Sequence, residues 1–260
     1  MPELPASVRL SLWVTTAWAE GSPQQPAIAR ALPDVDHVAG DLDRLLLWRE
    51  LGEQALLVAL PAAGDLAGVP GASTEARGAA ADHGECVFVP GIGGMLVPSI
   101  TTFGSAVEAT RSGGGLDIGT RVDWTAYEAD PVPRHRVEAL ETSQLERHLR
   151  EELLVATEAL AAAGGQPFAG SAAQELADGA LGGGWGLPSG LPGRAARVIV
   201  LAGTVGRIVD VALEAGDGAL TAAEAGRRHG LLLGLQRTAD RALADATNAA
   251  CAVIAGWRPA

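Results

Sequence analysis

The sequence predicts an α+β fold: an antiparallel sheet of four or five strands flanked by N-terminal helices and a C-terminal helical hairpin. Three observations carry that expectation. Apolar residues recur at helical spacing near both ends of the chain, strand-like segments cluster in its middle third, and a capping motif opens a long last helix.

The elements follow in order. Residues 10–19 place Leu10, Trp13, Val14, Ala17 and Trp18 on one stripe, as an amphipathic helix does. The same stretch ends Ala17-Trp18-Ala19, which mimics a signal-peptidase site. Glu3 and Arg9 leave the preceding segment without net positive charge, so the helical reading is preferred. A Pro-rich turn (Ser22-Pro23-Gln24-Gln25-Pro26) leads to a short helix around residues 27–32. Another helix is expected from Asp41, with Leu45, Leu46, Trp48 and Leu51 toward the core and Asp41 and Asp43 at its positive end. The first 54 residues thus read as helical.

Residues 55–60 are apolar on both faces and bounded by Pro61, as a central strand would be. A short helix near 74–82 and a strand at 85–89 follow. Pro90-Gly91-Ile92-Gly93-Gly94 then turns into a second hairpin strand at 95–103, which Pro98 marks as an edge or bulged strand. Residues 121–128 alternate most cleanly, with Val122, Trp124 and Ala126 on one face and Arg121, Asp123, Thr125 and Tyr127 on the other. Ser143-Gln144-Leu145-Glu146 reads as a capping box ahead of Leu145, Leu149, Leu153, Ala156 and Leu160. Glycine-rich stretches at 110–119 and 164–193 read as mobile. A helix at 194–215, a turn at Asp217-Gly218 and a capped helix from Thr221 to about residue 256 complete the hairpin. The expected organisation is an α+β domain over residues 1–163, a linker at 164–193, and a hairpin at 194–260 packing on the same domain.

Composition excludes more than it assigns. The 260 residues carry a net charge of −12 and no lysine, so every basic residue among the 19 is arginine. A Walker A loop, a kinase strand lysine, a pyridoxal phosphate aldimine and a Schiff-base aldolase all need that amine. Asn, Tyr and Phe are scarce as well, against 34 glycines and 50 alanines, which points to a GC-rich genome. The acidic balance argues against binding nucleic acid or an anionic membrane. Cys86 and Cys251 form no CxxC pair, so two free core thiols in a reducing cytoplasm are expected.

Several constellations invite chemistry. Asp34-Val35-Asp36-His37 with Asp41-Leu42-Asp43 offers hard oxygen ligands, but Val38-Ala39-Gly40 breaks the calcium-loop pattern, leaving a loop that enters a capped helix. Arg134-His135-Arg136 lies beyond the strand that bears Trp124. On an extended segment the two arginines share a face and can grip a phosphate or carboxylate, with Trp124 nearby. Gly91-Ile92-Gly93-Gly94 lacks the third dinucleotide-loop glycine, no Gly-x-Ser-x-Gly elbow occurs, and no zinc motif occurs. Residues 220–230 look like the opening of a helix-turn-helix, although Leu231-Leu232-Leu233-Gly234-Leu235 fills the turn and acidic residues follow.

Trp13 and Trp18, Ala59-Leu60-Pro61, Gly64-Asp65-Leu66-Ala67-Gly68-Val69-Pro70-Gly71, Gly84-Glu85-Cys86-Val87, Val122-Asp123-Trp124 and the last two helices form a pattern. It resembles an uncharacterised protein family of high-GC bacteria. That resemblance attaches no activity and carries over no functional residue. The sequence therefore implies no cofactor, no metal site and no catalytic residue. It leads first to a non-enzymatic cytoplasmic protein that binds a protein partner or itself. A small-anion site at Arg134, His135, Arg136 and Trp124 is the alternative, and helix-turn-helix DNA binding ranks below both.

Overall fold

The computed structural model describes residues 4–104, 119–162, 185–214 and 221–259. It divides into two compact units, Pro5–Arg134 and Met1–Leu4 with His135–Ala260. Most of the 110–119 stretch, most of the 164–193 stretch and the Asp217-Gly218 turn lie outside the described residues.

The first unit begins with helices α1 (Ala6–Ala19) and α2 (Gln24–Ala31) and strand β1 (His37–Gly40). Helix α3 (Arg44–Glu50), strand β2 (Leu57–Ala59) and helix α4 (Thr74–His83) follow, then strands β3 (Cys86–Phe88), β4 (Met95–Phe103) and β5 (Gly119–Tyr127). The sheet order is β1-β5-β4-β3-β2. Every neighbouring pair is antiparallel except β1 with β5, which run parallel. The sheet is therefore mostly antiparallel, as the sequence suggests, with one parallel pair at the β1 edge.

One face of the sheet meets the N-terminal helices. Leu10, Val14 and Trp18 of α1, Ile28 of α2 and Leu45 and Trp48 of α3 form one core with Val87, Leu96, Val122 and Trp124. Burying such side chains contributes about 1.5–3 kcal/mol each. Met95 and Val97 point to the reverse face and are also buried, with α4 against β4.

Three strand expectations change. The first 54 residues are not all helical, because His37–Gly40 is a strand. β2 lies at the sheet edge rather than its centre. Its burial comes from α1: the Ser11 hydroxyl donates to the Leu56 carbonyl, and the Leu56 N–H donates to Thr15 Oγ1 at 3.0 Å. Pro98 sits in β4, between two strands, yet β3 pairs only as far as Leu96. At Pro98 itself β4 is a local edge, where a missing N–H costs nothing.

Charge fixes the start of α1. Pro5 supplies no capping side chain, and Glu85 takes that role from across the fold by accepting the Ser7 N–H at 2.6 Å. Burial pushes the Glu85 carboxyl up, against the Ser7 N–H and the Arg9 guanidinium, which favour its charged form. Arg9 in turn grips Asp34 through both guanidinium NH groups.

The second unit holds α5 (Arg134–Glu138), α6 (Thr142–Ala162), α7 (Gly193–Glu214) and α8 (Ala222–Ile254), with α5 starting at the boundary. Contacts join α6 to α7 and α8, whereas the sequence grouping keeps residues up to 163 with the sheet. Val205, Val209 and Ala212 of α7 pack with Leu232 and Ala239 of α8, and Leu153 and Leu160 of α6 lie against them. Ser143 is inside the first turn of α6 rather than its cap. Glu146 and Arg150, one turn apart, form an ion pair at 2.9 Å. The Thr221–Glu224 capping box has both of its bonds.

Candidate functional site

The acidic run ahead of α3 is used for strand pairing. The Asp36 N–H donates to the Thr120 carbonyl at 2.9 Å, and its carboxylate accepts the Thr120 N–H at 2.7 Å. Asp41 repeats the arrangement four residues beyond His37, with its N–H on the Trp124 carbonyl and its carboxylate on the Ala126 N–H, both at 2.8 Å. The two aspartates thus clamp both ends of β1 to β5. Asp43 occupies the N-cap position of α3 without a side-chain capping bond. Among the described residues no group of three or more His, Cys, Asp or Glu is placed to hold a metal ion.

The Arg/His cluster is arranged differently from the expected one. Arg134, His135 and Arg136 open the helix α5 instead of an extended segment. At about 100° per residue the two arginines lie roughly 200° apart around the axis and do not share a face. All three side chains are exposed. Trp124 is buried in the core with Val122 and Leu96, so its indole is not presented to a ligand at the surface.

The long last helix is the one the sequence leads to, and it leaves no turn for a helix-turn-helix. α8 runs unbroken from Ala222 to Ile254, straight through the leucines that would form the turn. Cys86 and Cys251 are buried and in no disulfide, and burial pushes the Cys86 thiol up to about 12. A thiol held so firmly protonated is not a nucleophile at neutral pH.

The feature that sequence reasoning missed is on α3. Leu45 and Trp48 enter the core as expected, but Leu46 and Leu51 do not. They are 49% and 58% exposed, with Leu47 at 40%. Leu46 pairs along the helix with Glu50, and Leu47 with Leu51, so three leucines surround an exposed carboxylate on the outer side. Ile92, in the loop between β3 and β4, is 44% exposed. Glu53 lies two residues past Leu51, and its carboxylate accepts the Ile92 N–H at 2.6 Å. Burial pushes the Glu53 carboxyl up, while the Ile92 and Gly91 N–H groups oppose that shift. The loop is kept tight by Gly93, whose φ is +80° and where a Cβ would meet the Ala129 carbonyl. Leucine at four of the eight positions 44–51 is the only sequence signal for this surface, and it reads equally well as core.

Residues 7–140 match the family described as Rv1486c-like protein, N-terminal domain. Residues 143–244 match its companion, the C-terminal domain. The chain belongs to the Rv1486c-like family. No curated protein and no solved structure matches it. The two Rv1486c-like domains meet between residues 140 and 143, close to the boundary between the compact units at 134/135. Among the described residues no helix is long and apolar enough to cross a membrane.

Proposed function

We propose that this Rv1486c-like chain is a non-enzymatic binding protein of the cytoplasm, whose α3 face takes up an apolar protein segment bearing a basic side chain. The observation that carries this reading is the set of exposed side chains Leu46, Leu47 and Leu51 beside Glu50, with exposed Ile92 in the loop that Glu53 holds. Three leucines within six residues form an apolar surface of the kind that marks interaction sites. Glu50 in its midst and a net charge of −12 favour a basic partner. Two buried cysteines outside any disulfide suit a reducing compartment.

The test uses a synthetic amphipathic Leu/Arg helix and its Leu/Glu counterpart, read by fluorescence anisotropy against the full chain. The basic peptide is expected to bind and the acidic one not. Leu47→Asp, at an exposed position, should change stability by no more than about 1 kcal/mol. It should weaken peptide binding about tenfold or more. Equal binding of both peptides, or unchanged binding by Leu47→Asp, overturns the reading. A dimer in light scattering that Leu47→Asp dissolves overturns it too, in favour of a second copy as occupant.

A further inference from the structure

Helix α4 carries two stripes of different character. Ala76 and Ala80 face inward and are buried. Thr74, Arg77, Gly78 and Ala81 recur at i, i+3, i+4 and i+7 and so share the other side. Gly64 and Leu66, in the loop after β2, face that stripe across a cavity of about 610 Å³. This volume lies within the roughly 300–1,000 Å³ range of small-molecule sites.

We propose that this groove binds a small organic carboxylate with an apolar body, its head group on Arg77 and its chain along Leu66 and Ala81. Among the described residues, Arg77 is the only charged one lining the groove. Among the described residues its guanidinium has no ion-pair partner, in a chain where acids outnumber basic residues by 31 to 19. A guanidinium presents paired N–H donors that match a carboxylate edge to edge. A single cation beside apolar walls suits one negative charge better than the two of a phosphate monoester. The Thr74 hydroxyl adds one neutral donor.

The groove is open because of what its residues lack. At Gly78 a Cβ would meet nothing within 4 Å, and Gly64 turns the chain at φ +82°. The rim is fixed by reciprocal bonds between Ala62 and Asp65, each 2.9 Å. The Asp65 carboxylate, between Gly64 and Leu66 in sequence, accepts the Ala67 N–H at 3.0 Å and does not line the groove.

The experiment is a titration of the full chain with octanoate, acetate and octylamine, followed by amide resonances and calorimetry. Octanoate should shift the Gly64, Thr74 and Gly78 amides at millimolar concentration, and octylamine should not. Between acetate and octanoate, affinity should climb about tenfold for each pair of buried methylenes. Arg77→Gln should weaken octanoate about tenfold or more. Gly78→Leu enters open space on a helix, so it should hold or raise the thermal midpoint while blocking octanoate. Octanoate that leaves those amides unmoved, octylamine that binds equally, or Arg77→Gln that binds octanoate undiminished overturns the proposal.

Discussion

Asp240 lies on α8 among residues that pack toward α7, and Gln236 Nε2 donates to its Oδ1 at 3.2 Å. Burial and then the Asp210 carboxylate of α7 push its pKa up from 3.8 to about 7, with the Gln236 bond opposing them. Asp210 is itself raised by burial, an effect that Arg207 counters and Glu214 reinforces. Between about pH 4 and pH 7 the folded chain therefore holds a proton that the unfolded chain has released. Stability tied to Asp240 is full below the unfolded value and is lost as pH rises through the folded one. The urea midpoint of the helical signal should thus fall between pH 5 and pH 8, and Asp240→Asn should flatten that slope. Asp245, raised by burial against Arg241, should leave a residual slope of the same sign. A variant that keeps the full wild-type slope would remove Asp240 as its source. None of this is legible in the sequence. An aspartate amid Arg237 and Arg241 reads as a solvated face until α7 covers it.

β1 shows at the level of an element why four residues escaped the sequence reading while β5 did not. Val122, Trp124 and Ala126 announce β5 by local alternation. His37-Val38-Ala39-Gly40 has no such pattern, and it becomes a strand through bonds to residues more than 80 positions away. Gly40 is required at that junction. Its φ is +96°, and a Cβ would run into the Trp124 backbone. The clamps give a site-specific expectation. Asp36→Ala should speed hydrogen exchange at the Thr120 amide, and Asp41→Ala should do so at Ala126, each with little effect at the other. Exposed clamps of this kind contribute about 0.5–1.5 kcal/mol apiece, so the fold should persist in both variants. Equal acceleration at both amides in either variant would mean that β1 detaches as a unit. The same locality explains α3 and α5. A seven-residue helix with leucine on every side does not say which side is covered. Three residues after Pro133 do not say whether they extend or coil, and that choice decides whether two arginines share a face.

The net charge of −12 acts on the molecule as a whole. Excess carboxylates repel one another more in the compact chain than in the expanded one, and dissolved salt relieves this over a Debye length of about 10 Å at 0.1 M. The opposing contribution is the loss of ion pairs to screening, and it is small for the following pairs among the described residues. Arg9 with Asp34 is mostly covered, its side chains 8% and 23% exposed, so ions reach it poorly. Arg121 with Asp123 and Glu146 with Arg150 expose at least one partner widely, and such pairs contribute about 0–1 kcal/mol. Self-repulsion should therefore win. Raising NaCl from about 0.01 M to 0.15 M at pH 7.5 should lift the thermal midpoint by a few degrees, a range in which screening dominates over effects of salt on apolar hydration. The gain should shrink as pH approaches the isoelectric point near 4.8, where the excess charge vanishes. A midpoint that falls with salt at pH 7.5 would mean that attractive pairs outweigh the acidic excess. The lysine-free, arginine-only cation set would then contribute more to the fold than its exposed geometry allows.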